Sequence, residues 1–285
     1  MTALVSVLTP SLNQARWLRD TLRSVADQTY PHVEHVVMDG GSTDGTIGLL
    51  EAAGTHVRWR SEPDRGQSHA LNKALAVSRG EVIGWLNADD AYFDAGVVEQ
   101  VAAAFRRHPD VDVVYGHAAL ANADGLILQM LWVPPFSYSL LKRHTYIIQP
   151  AAFVRRSALE GTLADESYHF VMDRELWLRL GRRRRFLRIN RVLAIDRHQP
   201  HRKSLSIAFH ASAEHGELNR RYTVSGGRVD QAILTVSKLV CRFAGARLVP
   251  AAYGPHAFTA QLDGFLPLAT RQLARRRAAM PLESP

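Results

Sequence analysis

At 285 residues the chain suits one large domain, or one domain with an appendage, and its 46% hydrophobic and 22% charged composition supplies a full core and excludes wholesale disorder. The single cysteine, Cys241, excludes an intramolecular disulfide and fits a reducing compartment. The formal charge of +8 is unevenly spread: residues 1–178 hold 15 Lys/Arg against 21 Asp/Glu, residues 179–203 hold ten against one, and residues 226–285 hold eight against three.

The opening MTALVSVLTPS lacks a basic start and enters a strand pattern at once, so no signal peptide is expected and a cytoplasmic location follows. Short β-branched or apolar runs at residues 4–9, 33–38, 57–59 and 81–86, bounded by Pro, Gly or Asp, read as strands. Between them, Trp17, Leu18, Thr21, Leu22 and Val25 share one helical face, as do Ala70, Leu71, Ala74 and Leu75, and Gly80 closes the second helix. This alternation predicts an α/β fold with a mostly parallel sheet flanked by helices. A third helix is predicted over 94–107, stopping before Pro109. Strands over 111–115 and 125–133, a helix in MDRELWLRLGRRRR and an extended FLRINRVLAI follow.

Beyond Ser204, SIAFHASAEHGELNRRY and VDQAILTVSKLVCRFAGARLV are helical in pattern but show no partner in the sequence. No run approaches the ~20 apolar residues that span a bilayer. Lys238 and Arg242 interrupt the longest one, which reads either as a helix docked on the core or as one lying along a membrane with its basic side toward lipid. The GRRRRF block reads either as an anion-attracting patch or as a solvated helix C-terminus, where cations are favoured anyway.

In open parallel sheets, ligands bind beyond the carboxyl ends of the strands. Four consecutive strand ends here carry polar, turn-forming residues: TPSLNQARWL, MDGGSTDGT, EPDRGQSHALNKAL and LNADD. Each alone reads as a turn or a helix cap. The adjacent pair Asp89 and Asp90 is more than a cap needs, because one carboxylate suffices and two repel. Four such rims on one side of a sheet point to a binding site.

The order TPSLN, MDGGSTDGT, EPDRGQSHALNKAL, GEVIGWLNADDAY, QPAAFVRRSAL and MDRELWLRL resembles the family 2 glycosyltransferases, inverting enzymes of the GT-A fold that use nucleotide-activated sugars. The likeness covers residues 3–204, so a catalytic domain over 1–204 and a basic, helical C-terminal extension over 205–285 are expected. The resemblance implies that Pro10, Ser11, Asn13 and Asp39 line a base and ribose pocket, that Asp64 adds to it, and that Lys73 brings positive charge toward the donor's phosphates. Many family members carry an acidic residue where this chain has Asn13. The family's metal motif is Asp-x-Asp; here Asn87 takes its first place, which implies Asp89 as the ligand of Mg2+ or Mn2+, Asp90 beside it, and Asn87 toward ribose. Asp173 matches the family's general base, with Glu175 a nearby competitor. His198 and His201 both match a histidine that approaches the diphosphate, and Gln149 is implied to face acceptor or sugar.

The implied partners are a UDP, dTDP or GDP sugar and a glycan or lipid-linked acceptor, with peripheral contact at the inner face of the membrane through the basic tail. A basic protein binding nucleic acid or an anionic surface through the Arg block is an alternative reading, but no nucleic acid is expected, because aromatic residues do not interleave that block and no nucleic-acid motif is present. A nicotinamide dehydrogenase is excluded by the missing Gly-x-Gly-x-x-Gly after the first strand. A catalytically silent sugar-nucleotide binder stays open because of Asn87.

Overall fold

The computed structural model describes residues 3–199 and 208–222. Its strands are β1 (Val5–Ser11), β2 (Val33–Asp39), β3 (Val57–Ser61), β4 (Val82–Trp85), β5 (Ala91–Tyr92), β6 (Val113–Asn122), β7 (Ile127–Leu131), β8 (Ala152–Arg155) and β9 (Phe186–His198). Its helices are α1 (Ala15–Ala26), α2 (Thr46–Ala52), α3 (Gln67–Val77), α4 (Val97–Arg107), α5 (Tyr138–Arg143), α6 (Met172–Gly181) and α7 (Ala208–Arg221). One sheet runs β3-β2-β1-β4-β8-β6-β9-β5, with β7 also paired to β6.

β1 to β4 form the parallel half that the alternation predicts. β1 lies at its centre and is buried along its whole length, as a strand covered on both faces must be. Beyond β4 the pattern changes. β8 runs antiparallel to β4 and β6, β7 to β6 and β5 to β9, while β9 is parallel to β6. The sheet is therefore mixed rather than mostly parallel; for β6 and β7 the reason is local, because parallel neighbours need a crossover and no helix stands between them.

Period-two alternation divides the strands between two cores. Val5, Val7 and Val82 share one cluster with Val97, Val98, Val101 and Phe105 of α4. Leu8, Ile83 and Trp85 share the other with Leu71 and Leu75 of α3 and with Leu176 and Trp177 of α6. Gly84 makes the close packing of β4 possible. A Cβ there would lie 2.7 Å from the Tyr92 hydroxyl and 2.8 Å from the Phe153 ring, which stacks on Tyr92 at 5.6 Å.

Three element boundaries differ from expectation, each through a distant contact. α4 starts at Val97 rather than near 94, because Asp94 Oδ1 accepts from Gly96 N (2.9 Å) and Gln28 Oε1 from Val98 N (2.9 Å), which sets the first turn from outside the helix. β6 runs on to Asn122 through the Ala-rich HAALAN, which has little strand propensity of its own but pairs with both β9 and β7. α7 lies past the expected boundary at 204 yet joins the α3/α6 core through the fully buried Leu218 and through Tyr222. The folded unit thus includes α7. His201, Lys203 and the segment 226–285 lie outside the described residues, and among the described residues no helix is long and apolar enough to cross a membrane.

Two of the four arginines of the Arg block form ion pairs within the protein, and a third lies over an aromatic ring. Arg184 pairs with Glu160 (2.7 Å), Arg185 with Asp110, and the Arg182 guanidinium lies 5.9 Å over the Tyr222 ring. This favours the solvated-face reading of those residues, since exposed pairs of this kind contribute little.

Two buried histidines make stability depend on pH. Burial holds His35, which bonds Thr9 Oγ1 at 2.9 Å, down to about 3, and His117, whose Nδ1 accepts from Val133 N, down to about 4. Both fold neutral, whereas the unfolded chain takes up protons below its ordinary value of 6.5. Stability is therefore lost as pH falls from about 6.5 toward 4, by roughly 1.4 kcal/mol per pH unit for each group. Urea midpoints should decline across that window, and less steeply in His35→Gln; equal slopes in the two proteins would contradict this account.

Candidate active site

The carboxyl ends of β1, β2 and β3 bring Ser11, Asp39 and Ser61 side by side in register. Loops leaving strand ends carry backbone N–H groups that must find acceptors, and Asp39 serves that need. Its Oδ2 accepts from Gly41 N (3.0 Å), Ser42 N (2.8 Å) and Ser61 Oγ (2.7 Å), and its Oδ1 from Ser42 Oγ. Asn13, in the left-handed region at φ 53°, accepts at Oδ1 from Thr43 N (2.9 Å) and donates its own N–H to Ser42 Oγ (2.7 Å). Asp39 and Asn13 thus stitch the first two loops together, and neither is among the residues lining the cleft beside them.

That cleft, about 740 Å³, opens over the ends of β1 and β4. Of the residues singled out above, it gathers Pro10, Ser11, Asp64, Asn87, Asp89, Asp90, Gln149 and Asp173. Asp64 accepts from Gly66 N (2.7 Å) and packs so tightly on Gly40 that a Cβ there would sit 2.8 Å from its carboxylate. Lys73 lies away from the cleft, paired with Glu62 at 3.0 Å. His198 is exposed at the end of β9 and does not line the cleft either.

Asn87 is the hub of the cleft floor. Its Oδ1 accepts from Trp85 Nε1 and Gln67 Nε2, both at 2.8 Å, and its Nδ2 donates to Asp90 Oδ2 (3.1 Å) and Gln149 Oε1 (2.9 Å). An indole N–H only donates, so the amide orientation follows from Trp85. All four hydrogen-bonding positions of the amide are taken within the protein, and a ribose contact at Asn87 would have to displace one. Gln149 is similarly held, its Nε2 donating to the Trp85 carbonyl.

The adjacent carboxylates face different surroundings. Asp90 is buried, with Oδ1 accepting from Arg197 N (3.0 Å) and Oδ2 from Asn87. Asp89 is half-buried; its Oδ2 accepts from Gln199 Nε2 (3.2 Å), and its Oδ1 has no hydrogen bond among the described residues. Asp173, in the first turn of α6, is half-buried at the cleft wall with Oδ1 accepting from Arg174 N (2.7 Å). Glu175 faces elsewhere. It is fully buried and accepts from Arg179 Nε and the Tyr222 hydroxyl, so it does not compete with Asp173 for the cleft.

A model of glycosyl transferase family 2 matches residues 6–162, more than half of the chain. The chain belongs to glycosyl transferase family 2. An uncharacterized glycosyltransferase of Mycobacterium tuberculosis is 29% identical over 242 residues, covering 81% of this chain and 89% of that protein. A PGL/p-HBAD biosynthesis glycosyltransferase of Mycobacterium bovis is 30% identical over 164 residues, 56% of this chain and 62% of that one. Among solved structures, S. aureus TarS in complex with UDP-GlcNAc superposes with a TM-score of 0.61 at 20% identity, over 78% of this chain and 66% of that chain. The mannosyltransferase PcManGT from Pyrobaculum calidifontis, in complex with GDP-Man and Mn2+, gives 0.58 at 21% identity, over 98% and 80%. These likenesses show the GT-A fold, a mixed sheet with flanking helices.

Several residues of the glycosyltransferase cleft escape a reading of its sequence. Asp196 and Gln199 line it from the end of β9, and His215 lines it from α7. Gln199 and the buried Arg197 flank His198 in the sequence, whereas no local pattern marks His215. Ser11 Oγ and Gln14 Oε1 are buried without a hydrogen-bond partner among the described residues, and both residues border the cleft.

A divalent cation fits this donor set in a limited way. Among the described residues no group of three His, Cys, Asp or Glu is arranged to hold one. Asp89 has a carboxylate oxygen to offer, and Mg2+ is commonly held by one or two carboxylates with waters and substrate phosphates completing the shell. Asp90 is committed to Arg197 and Asn87.

Asn87→Asp would restore the family's first metal position, yet it would set a carboxylate against two acceptors, Asp90 Oδ2 and Gln149 Oε1. A loss of roughly 1–3 kcal/mol in unfolding free energy is expected, read from urea midpoints at pH 7. A variant as stable as the parent would show that the four-bond hub does not matter.

Proposed function

We propose that this glycosyltransferase inverts configuration, moving a sugar from a nucleoside-diphosphate donor to the hydroxyl of a glycan or lipid-linked acceptor. The observation that carries the reading is a single cleft holding Asp89, whose Oδ1 has no hydrogen bond among the described residues, together with Asp173. Ser11 Oγ and Gln14 Oε1, without partners among the described residues, support donor binding at the end of β1, because buried polar atoms left without partners are uncommon unless a ligand or water meets them. The UDP-GlcNAc and GDP-Man complexes of the structural neighbours support the donor class.

In the proposed step, the acceptor oxygen attacks the anomeric carbon from the face opposite the diphosphate. The bond from that carbon to the phosphate oxygen breaks, and its electron pair leaves with the nucleoside diphosphate. The hydroxyl proton passes to the Asp173 carboxylate, which Arg174 N orients. Pro10, Ser11 and Asp64 hold the nucleoside end, while Asn87 and Gln149 keep the floor rigid. Asp89 would hold a Mg2+ or Mn2+ ion, which when bound would supply positive charge against the leaving diphosphate. With one carboxylate of the pair committed elsewhere, metal dependence should be weaker than a two-carboxylate site would give.

A thermal-shift panel of UDP, dTDP and GDP and their sugars, with and without Mn2+, tests donor and metal together. One nucleotide class should raise the melting temperature, with a further Mn2+ increment that Asp89→Ala loses; a metal titration of Asp89→Ala matching the parent would remove the ion from that residue. Asp173→Asn should still bind the donor while turnover drops by roughly 10²–10⁴-fold. Full turnover in that variant, with the fold intact, would rule Asp173 out as the base.

A further inference from the structure

Helix α7 lies beyond the residues matched by the family model, yet it touches the segment that carries Asp173. Glu214 Oε1 accepts from His169 N (2.9 Å), and Glu214 Oε2 accepts from Phe170 N (2.8 Å) and Val171 N (3.1 Å). These are three consecutive backbone N–H groups at the entry to α6, where Val171 stands as the N-cap with no side-chain cap of its own. Residues 169–173 all line the cleft. One carboxylate from a segment more than 40 residues away therefore fixes the backbone that delivers Asp173.

The remainder of this loop is held by α3. Asn72 Oδ1 accepts from Leu163 N and Ala164 N, and Ser68 Oγ donates to the Tyr168 carbonyl. Without Glu214 the clamp would stop at Tyr168, just short of the cleft residues. α7 is well anchored to do this work. Leu218 is fully buried, the Tyr222 hydroxyl donates to Glu175, and Arg174 donates from NH2 to Asn219 Oδ1 (2.9 Å) and from NH1 to His215 Nδ1 (2.9 Å). Burial alone would raise the Glu214 carboxyl, but the three N–H bonds outweigh it and hold it below the usual range, so the clamp is charged at neutral pH.

We propose that Glu214 is a positioning residue for the transfer reaction, holding the 169–171 backbone so that Asp173 meets the acceptor hydroxyl. The inference deepens the reading of Asp173 as the base and rests on it. A positioning error of about 1 Å costs on the order of 10²-fold in rate without a matching loss of binding, and this separates positioning from a general structural role.

The test uses the full chain with UDP-GlcNAc and GDP-mannose as probes, water replacing the acceptor, and follows donor hydrolysis, donor affinity and amide hydrogen exchange. Glu214→Ala should lower the hydrolysis kcat by about 10–10²-fold, leave donor Kd within about twofold, and speed exchange at residues 169–171. Glu214→Gln, which keeps one accepting oxygen, should fall between. Tyr222→Phe, which weakens the anchoring of α7 without touching the loop, should keep kcat. An unchanged kcat in Glu214→Ala, unchanged exchange at 169–171, or an equal kcat loss in Tyr222→Phe would overturn the proposal. Full hydrolysis by Asp173→Asn would instead remove the base assignment, and if neither probe turns over, exchange at 169–171 alone decides whether the clamp exists.

Discussion

A buried guanidinium determines where the two adjacent carboxylates of the cleft can be. Arg197, 1% exposed near the end of β9, donates from NH2 to Asp20 Oδ2 (2.9 Å), from Nε to the Asp89 carbonyl (2.9 Å) and from NH1 to the Ala123 carbonyl (3.2 Å). Its backbone N–H meets Asp90 Oδ1. A charge taken out of water must be paired and hydrogen-bonded or it is strongly destabilising, so the geometry of this network has little freedom. It ties α1, the β4–β5 turn, the β6–β7 turn and β9 to one another. The short pairing of β5 with β9, Ala91 opposite Ile195, seats the same turn from its other side.

That constraint accounts for the unequal roles of Asp89 and Asp90. Asp90 serves the fold, accepting from Arg197 and Asn87, and the repulsion expected between neighbouring carboxylates is relieved because their oxygens meet different donors. Asp89 is left at the cleft surface with an oxygen to offer. Asn87 fits this arrangement better than an aspartate would, since its amide bridges two acceptors and two donors at once. The departure from the family's metal motif is thus coupled to the local hydrogen-bond pattern and is not an isolated change.

The opposite wall depends on elements far apart in the chain. α3 and α7 hold the loop ahead of α6 through side chains that bond its backbone, Asn72 and Glu214 accepting from its N–H groups and Ser68 donating to a carbonyl, so the approach to Asp173 is set by these three residues rather than by the loop's own turn chemistry. The cleft therefore has a floor fixed by Asn87 and Arg197 and a wall fixed by Glu214. Rigid supports of this kind are what a transfer reaction needs, because its two reacting partners must be aligned at one carbon.

The parallel half of the sheet, the helices that cover it, and the placing of polar residues at four strand ends were all legible in the sequence, since period-two and period-3.6 patterns and turn residues are local signals. The ordered motifs single out Asp89 and Asp173, and both line the same cleft. Only the tertiary structure decided which polar residues remain available to a ligand. Asp39 and Asn13, which read as binding residues in sequence, bond the neighbouring loops in the fold, and Lys73 pairs with Glu62. Arg197, Glu214 and His215 had no sequence pattern to mark them, and their contacts lie tens of residues away or more. Whether a hydrogen-bonding group is spent inside the protein or offered to a ligand depends on which distant donors and acceptors the fold brings within about 3 Å, and no local pattern of residues encodes that.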